Sequence, residues 1–355
     1  MFHGSFFVGI FRFRHESVKH MEADNAVRIN VLFTSVGRRV ELLRAYRRAY
    51  DALGIDGRIV ATDIDPLAPA LQEADTVYLV PPISDPDYVQ SLKQLIVRED
   101  IDLVFPLLDH DIPVLAQHRE ELEDLGAHVP VVSAEAAALT RDKWETNQFL
   151  NSLGIPAPQS WLPDKLPENL PFPLFVKPRS GSAGKNTFKV EDREDLEYAL
   201  KKVEQPIIQE FISGPEITND VVCSFNGDVW AVISRQRIEV RWGEVAKGKT
   251  IHDPEIEKSC VSIAKELNAR GPITVQCIMA DEPLFTEINA RYGGGHPLSI
   301  AAGVPSPTWY LAAASGMIVE PKALGSYQTG LYLTRFDDSF FLDESEYGHF
   351  SGRSI

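Results

Sequence analysis

Short apolar segments alternate with amphipathic segments through the first 138 residues, and this alternation constrains the fold more than any other feature. Strands that alternate with helices form parallel sheets. The sequence therefore predicts an open, doubly wound α/β domain over residues 28–138. The strand-like segments are at 29–39, 57–65, 76–81, 101–109 and 128–132, and the helix-like segments are at 40–54, 85–100 and 111–126.

The first predicted strand-to-helix turn reads SVGRR and lacks the GxGxxG pattern of dinucleotide-binding domains, which disfavours a nicotinamide dinucleotide. Ligands of open parallel sheets collect beyond the carboxyl ends of the strands. Two interpretations of the polar residues there stay open: contact with a substrate, or local helix capping and ion pairing. The residues concerned are Ser35, Gly37, Arg38, Asp109 and Asp111.

From residue 139 the pattern changes to hairpins with intervening helices, which is typical of an α+β domain. The sequence predicts a helix that begins near Thr140 or Asp142, a loop between two strands at 179–186, and a turn at Asn226-Gly227. Further strands are predicted at 174–178, 187–190, 205–212 and 219–239, a helix at 253–268, and a last hairpin at 273–291.

Composition excludes several function classes for this chain of 355 residues. Its net charge of −16 argues against nonspecific nucleic-acid binding, which needs a basic surface. Its apolar runs are shorter than the ~18–20 residues of a membrane span. Three widely spaced cysteines and nine histidines have no metal-binding spacing, which disfavours zinc. Unpaired thiols predict a reducing, cytoplasmic location.

One segment, FTEINARYGGGHPLS, places Glu287, Asn289 and Arg291 at alternate positions before three glycines. Alternate side chains of a strand share one face. Carboxylate and amide oxygens on that face could bind a metal ion, and a guanidinium beside them could bind a phosphoryl group. The alternative is a solvated polar face of a sheet.

The register of the last predicted hairpin decides between these interpretations. With Asp281 and Glu282 as the two central turn residues, Gln276 lies opposite Glu287, within ~4.5–5.5 Å between Cβ atoms. Asn289 then completes a set of hard oxygen ligands suited to Mg²⁺. A slip of one residue would move Gln276 away.

The segment VKPRSGSAGKN resembles a phosphate-binding loop but is not a Walker A motif, because only two residues separate Gly181 from Gly184. Its backbone N–H groups could still cover a triphosphate. Lys177 ends the preceding apolar strand and needs an anionic partner if it is buried. The alternative is a lysine that extends from the strand end to solvent.

The order of these features resembles the ATP-grasp superfamily, in particular the carbamoyl-phosphate-synthetase-like carboxylate–amine ligases, over residues 28–317. The resemblance implies a pre-ATP-grasp domain at 28–138 and an ATP-grasp domain at 139–317, with a mobile lid at about 140–207. We expect residues 1–27 to be a disordered extension, with Met21 as an alternative start, and 318–355 to form a hairpin and a tail.

The resemblance also implies roles for individual residues. The implied ATP ligands are Lys143 and Lys177 for the α- and β-phosphates, Gly181, Ser182, Ala183, Gly184 and Lys185 for the lid loop, Gln209, Glu210, Phe211 and Ile212 for adenine, and Glu216 for the ribose. The implied ligands of Mg²⁺, or of Mn²⁺, are Gln276, Glu287 and Asn289, and Arg291 and Lys177 are the implied catalytic residues. Gln276 departs from the pattern, because many members have a carboxylate there.

The sequence gives weaker signals for the acceptor site, the site that would bind the substrate. Arg235, Arg237, Arg241 and Lys247 could bind a substrate carboxylate, with Gly294 and Asp109 nearby, or they could form a salt-bridged sheet face with Glu239 and Glu244. The three glycines predict a close approach of backbone to the ligand. His296 is either a base or structural.

The leading prediction is an ATP-dependent ligase that joins a small carboxylate, such as an amino acid, to an amine through an acyl phosphate. Two alternatives are phosphorylation of carbonate or carbamate and a non-catalytic ATP-binding regulatory protein. The expected partners are small molecules, with neither nucleic acid nor membrane. The resemblance also admits a homodimer, which nothing in the sequence requires.

Overall fold

The computed structural model describes residues 27–181, 184–241 and 243–351, with the backbone alone for 349–351. The predicted extension at 1–27 therefore lies almost wholly outside the described residues. So do Ser182 and Ala183 of the predicted lid loop. In the part of the chain that is described, no helix is both long and apolar enough to cross a membrane.

The first domain is built on a parallel sheet of four strands. These are β1 (Val31–Thr34), β2 (Ile59–Asp63), β3 (Thr76–Leu79) and β4 (Leu103–Pro106), in the order β3-β2-β1-β4. All residues of β1, β2 and β4 are buried, as expected for a sheet covered on both faces. The helices are α1 (Val40–Leu53), α2 (Tyr88–Arg98), α3 (Asp111–Gln117) and α4 (Arg119–Glu123).

Two details of this domain differ from the prediction. The segment 128–132 forms no strand and contributes a single parallel bridge between Leu103 and His128. The predicted helix at 111–126 is divided in two at His118. The apolar pattern alone could not separate an extended buried segment from a paired strand, because both bury the same residues.

Two capped helices lead into the second domain. Ser133 caps α5 (Ala134–Arg141) by accepting a hydrogen bond from the N–H of Ala136. Asp142 caps α6 (Lys143–Ser152) by accepting from the N–H groups of Trp144 and Glu145. The helix predicted near Thr140 or Asp142 therefore begins after Asp142.

A small antiparallel sheet follows, with a core of its own. Its strands are β5 (Ser160–Trp161), β6 (Leu174–Pro178), β7 (Phe188–Val190) and β8 (Pro206–Glu210), in the order β5-β8-β6-β7. Helix α7 (Arg193–Lys202) packs against it through Leu196 and Ala199. The strands and helix of this unit span 160–210, and a mobile lid at about 140–207 stays a prediction.

The main sheet of the second domain has six antiparallel strands. In spatial order these are β13 (Pro283–Asn289), β12 (Pro272–Met279), β9 (Glu216–Cys223), β10 (Val229–Arg241), β11 (Glu244–Ile251) and β14 (Tyr332–Thr334). The helices are α8 (Pro254–Glu266), α9 (His296–Ala301), α10 (Ser306–Ala314) and α11 (Glu344–Ser351). The predicted turn at Asn226-Gly227 is confirmed, with φ of 93° at Gly227.

The C-terminal segment corrects the predicted hairpin at 318–355. Its described part contains one strand, β14, which pairs with β11, and then α11 where a polar tail was predicted. Without β14, β11 would present an unpaired edge. The partner of β14 lies more than 80 residues earlier in the chain, so local sequence could not identify it.

An aromatic cluster joins the two domains. Tyr46 of α1 and Tyr292 have their hydroxyl oxygens 3.0 Å apart, and both rings pack near Phe105. Tyr310 of α10 completes the cluster. Because these four side chains are buried, the first domain holds the segment after β13 in place.

Candidate active site

The β12–β13 hairpin has the predicted residue pairing at its polar end, but its turn is one residue longer than predicted and a bulge compensates for the difference. Gln276 pairs with Glu287, and Thr274 with Asn289. At the turn, however, Met279 pairs with Pro283, which leaves a loop of three residues instead of two. The register shifts again between Gln276 and Cys277, and this bulge restores the predicted alignment.

The polar end of this hairpin has a donor set that suits a hard divalent cation. Glu287 and Asn289 line a cleft. No residue that the structure describes donates a hydrogen bond to the side-chain oxygens of Gln276 or Asn289. The described residues also contain no group of three or more His, Cys, Asp or Glu side chains that could hold a metal ion. One carboxylate and two amides fit Mg²⁺, which takes few protein ligands and keeps water or phosphate oxygens.

Lys143 reaches this cleft from the first turn of α6. Its Nζ donates a hydrogen bond to the carbonyl of Gly181 at 2.7 Å and lies 3.9 Å from Glu287 Oε1. The Asp142 cap fixes the start of the helix, so the position of Lys143 follows from helix geometry. The predicted lid loop, the β12–β13 hairpin and α6 thus meet at the ammonium group of Lys143.

Lys177, on β6, is only 9% exposed. Burial lowers the pKa of Lys177 to about 8, a value that already includes the raising effect of the Glu287 carboxylate and the smaller lowering effect of Lys143. Both lysines therefore act electrostatically on the same carboxylate. The alternative of a lysine extending to solvent is wrong.

An ion pair anchors the base of the predicted lid loop. Arg179 donates to both carboxylate oxygens of Asp142, with Nε at 3.0 Å from each and Nη2 at 2.5 Å from Oδ2. Beyond it, Gly181 and Gly184 have φ of 138° and 64°, values that favour glycine. Lys185 is exposed.

The predicted adenine hinge follows β8. Gln209 is buried and its amide donates to Ser160 Oγ at 2.8 Å, so its side chain points into the lid. The N–H of Phe211 donates to the carbonyl of Pro173. The Glu210 side chain accepts from the N–H of Gln159 at 2.8 Å. These contacts engage both side chains and the Phe211 amide, and the backbone contact of Ile212 with adenine stays a prediction.

Glu216, the predicted ribose ligand, begins β9 with a side chain that is 53% exposed. Its carboxylate lies 2.9 Å from Arg237 Nη1. Arg237 is therefore placed beside the predicted nucleotide site, although the sequence analysis assigned it to the acceptor.

The other predicted acceptor residues on β10 and β11 are engaged elsewhere. Arg241 Nε and Lys247 Nζ lie 2.7 and 2.6 Å from the carboxylate of half-buried Glu239, which matches the alternative of a salt-bridged face. Arg235 is 2% exposed and donates two hydrogen bonds to Asp220 at 2.7 and 2.8 Å. The structure thus corrects the prediction for Arg235, because it has no surface to offer a substrate.

Asp220 and Arg235 support the glycine turn instead. Burial opposes the charge of Asp220, but Arg235 and His296 hold the pKa of Asp220 well below its usual range. An added Cβ at Gly293 would lie 3.0 Å from Asp220 Oδ1, and one at Gly295 2.1 Å from Arg235 Nη1. These glycines therefore accommodate the protein's own ion pair, whereas the sequence analysis expected them to admit a ligand.

Arg291 links the two domains across 182 residues of sequence. Its Nη2 donates to Asp109 Oδ2 at 2.6 Å, and Nη1 donates to the carbonyl of Tyr292. Asp109 follows β4 and lines the same cleft as Glu287 and Asn289. Two other candidates at the carboxyl edge of the parallel sheet are absent from the lining of this cleft. Asp111 is fully buried, and Arg38 is exposed.

Two arginines near Arg291, Arg39 and Arg335, were not predicted from the sequence. Arg39 lies 3.4 Å from Glu244, and Arg335 donates to Glu244 at 3.0 Å and to the carbonyl of Gly294. The available signal was the second arginine of SVGRR, since Arg39 immediately precedes α1. Nothing local marked Arg335, because only the pairing of β14 with β11 brings it here.

Comparisons with known proteins agree with this arrangement. Residues 31–132 match the family model "PylC-like, N-terminal domain", and residues 140–295 match the model "ATP-grasp domain". Over 309 residues the chain is 31% identical to a carbamoyl-phosphate synthase of Methanobrevibacter smithii, covering 80% of this chain and 82% of that protein. It is 25% identical to a 3-methyl-D-ornithine–L-lysine ligase of Methanosarcina acetivorans, covering 73% and 67% respectively.

Solved structures show the same fold at lower identity. The biotin carboxylase of Campylobacter jejuni superposes with a TM-score of 0.67 at 18% identity, covering 85% of this chain and 74% of that one. An L-amino acid ligase from Bacillus licheniformis gives 0.63 at 20% identity, covering 82% and 77%.

Proposed function

The chain belongs to the ATP-grasp family, and from that premise we propose that it joins a small carboxylate, such as an amino acid, to an amine. The predicted family and fold class are confirmed, and ligase-named relatives support an ADP-forming ligase. The observation that carries the proposal is the convergence of Lys143 and Lys177 on Glu287.

The proposed chemistry forms and breaks two bonds in turn. A substrate carboxylate oxygen attacks the γ-phosphorus of ATP, and the bond to ADP breaks. The amine then attacks the acyl carbon, phosphate leaves, and the proton of the amine passes to the solvent. Lys143 and Lys177 would hold the phosphates, and Arg291 would neutralise the charge that spreads over the transferred phosphoryl group.

Glu287, Asn289 and Gln276 would hold Mg²⁺ or Mn²⁺ beside the phosphates. When bound, the metal would neutralise phosphate charge and orient the γ-phosphoryl group. Glu287 interacts with the ammonium groups of Lys143 and Lys177, and a bound cation would take their place as the counter-charge of this carboxylate.

The test is to measure release of ADP and phosphate from ATP and Mg²⁺ across a library of amino acids and amines. We expect turnover with one pair, and a drop of at least about a hundredfold in Lys177→Met and Glu287→Gln. Lys201→Met, on the exposed face of α7, is the matched control. Binding of ATP without turnover by any pair would favour the regulatory alternative, and a protein that binds no ATP would contradict both.

The similarity to a carbamoyl-phosphate synthase supports a second candidate, phosphorylation of carbonate or carbamate. Bicarbonate labelled with ¹⁸O distinguishes it, because label then passes into the released phosphate without an amino acid present. An unlabelled phosphate that depends on an amino acid would leave only the first candidate.

Location and assembly remain predictions. Cys223, Cys260 and Cys277 are buried and unpaired, which supports the proposed cytoplasmic location. A homodimer is also a prediction; a related fold, the biotin carboxylase domain from Hydrogenobacter thermophilus, is described as a dimer. Light scattering on the purified chain would determine its mass in solution.

A further inference from the structure

Two arginines and one carboxylate meet where the first domain contacts β11, the glycine turn and the C-terminal segment. We call Arg39, Glu244 and Arg335 the arginine cluster. Glu244 lies between the two guanidinium groups, 3.4 Å from Arg39 Nη1 and 3.0 Å from Arg335 Nη1. The nearby Arg291–Asp109 pair connects this cluster to the cleft.

The charges of this region do not balance. Three guanidinium groups share two carboxylates, and the charged groups that act most strongly on Arg39 are Arg291, Glu244, Arg335 and Asp109. Burial and the neighbouring arginines lower the pKa of Arg39 to about 10. A further anion would therefore be stabilised here.

Two guanidinium nitrogens in the region also lack hydrogen-bond partners among the described residues. Arg39 Nη1 and Arg291 Nε are buried, and neither makes a hydrogen bond within the described chain. Buried donors without acceptors are costly, so a ligand that accepts from them would gain affinity. An added Cβ at Gly294 would lie 2.7 Å from Arg39 Nη1, so the missing side chain leaves room for the guanidinium group.

The topology of the first domain points to the same place. Arg39 follows β1 and Asp109 follows β4, and β1 separates β4 from β2 and β3. The chain connections after β1 and β4 therefore leave the sheet in opposite directions, and ligands of such sheets bind in the crevice between two strands of this kind. The arginine cluster is therefore at the expected ligand position of the sheet.

We propose that the arginine cluster binds the head group of an α-amino acid, with the carboxylate on Arg39 and Arg335 and the ammonium group on Glu244. This inference rests on the proposed function and narrows its substrate class. It also gives the C-terminal segment a role, because β14 delivers Arg335 through its pairing with β11.

The test measures binding, so that it does not depend on turnover. Titration calorimetry is carried out on the protein with Mg²⁺ and the non-hydrolysable analogue AMP-PNP. The probes are common L- and D-amino acids and, for each that binds, its α-carboxamide. We expect the amide to bind at least about tenfold more weakly, and Arg39→Met and Arg335→Met to weaken amino-acid binding about 10- to 100-fold. Arg48→Met, on the exposed face of α1, is the matched control.

Three results would overturn the inference: no amino acid binds, the amide binds as well as the acid, or both variants bind as the wild type does. Arg335→Met serves if Arg39→Met fails to fold, which circular dichroism would reveal. Affinity for AMP-PNP is measured separately in every variant and should stay within about twofold. A wild-type protein that binds amino acids but no AMP-PNP would contradict the proposed function and leave this inference standing.

Discussion

Lys177 illustrates how burial tunes a single residue for phosphate binding. A cation that is poorly solvated and close to a second ammonium group is stabilised strongly when an anion arrives. Its pKa of about 8 means that a rise in pH near neutrality removes part of this charge.

We predict that the affinity for AMP-PNP falls about tenfold between pH 7 and pH 9, because binding must then be preceded by protonation of Lys177. Lys177→Arg keeps its charge over this range and should show a flat profile. Calorimetry at several pH values measures both, with Lys201→Met as a control that retains the wild-type slope. A wild-type affinity that is constant over this range would contradict the assignment.

Asp111 shows a second effect of burial at the residue scale. It accepts hydrogen bonds from Thr34 and Ser35 at 2.6 and 3.0 Å. Burial nevertheless raises its pKa to about 6 from 3.8, and the hydroxyl hydrogen bonds only partly oppose this. Between these two values the folded protein retains a proton that the unfolded chain has lost.

Ionisation of Asp111 therefore lowers the free energy of unfolding as pH rises through this window, by about 3 kcal/mol at most. We predict that Asp111→Asn, which cannot ionise, gains stability relative to the wild type between pH 4 and pH 7. Urea unfolding at each pH measures the difference. Asp51→Asn on the exposed surface of α1 is the control, and a pH-independent difference for Asp111→Asn would disprove the prediction.

At the scale of elements, the glycine turn after β13 needs glycine because buried side chains pack directly against its backbone. Gly295 has φ of −90°, which any residue adopts, so its requirement is spatial. The buried Arg235, which is paired with Asp220, and Val245 occupy the space that a side chain would need.

We predict that Gly295→Ala lowers the free energy of unfolding by about 2–3 kcal/mol, because the added methyl group would displace the Arg235 guanidinium and Val245. Gly348→Ala in α11 is the matched control, since its Cβ would contact nothing within 4 Å. Thermal unfolding followed by circular dichroism measures both. Equal melting temperatures for the two variants would show that the turn has room to relax.

At the scale of the whole molecule, the cleft belongs to neither domain alone. The first domain supplies Asp109 to the lining of the cleft, and the second supplies Glu287 and Asn289. Arg291 of the second domain pairs with Asp109, and the buried tyrosines Tyr46 and Tyr292 pack between the domains. Separation of the domains would therefore dismantle the candidate substrate site as well as the interface.

A double-mutant cycle tests this coupling. We predict that Asp109→Asn and Arg291→Met, combined, cost less stability than the sum of the two single changes, with a coupling energy of about 1–3 kcal/mol. Urea unfolding of the four proteins measures it. The exposed Lys258–Glu255 pair of α8 should couple by less than ~1 kcal/mol, and an equal value for both pairs would contradict a structural role for the cross-domain pair.

The sequence by itself determined the α/β and α+β architecture and the ATP-grasp family, because apolar periodicity and motif order are local properties of the chain. Tertiary structure alone decided that Arg235 is buried, that a bulge restores the hairpin register, and that Arg39 and Arg335 share Glu244. These outcomes depend on contacts between distant segments. The sequence gives the charge of an arginine, whereas the pairing of strands determines which carboxylate lies beside it.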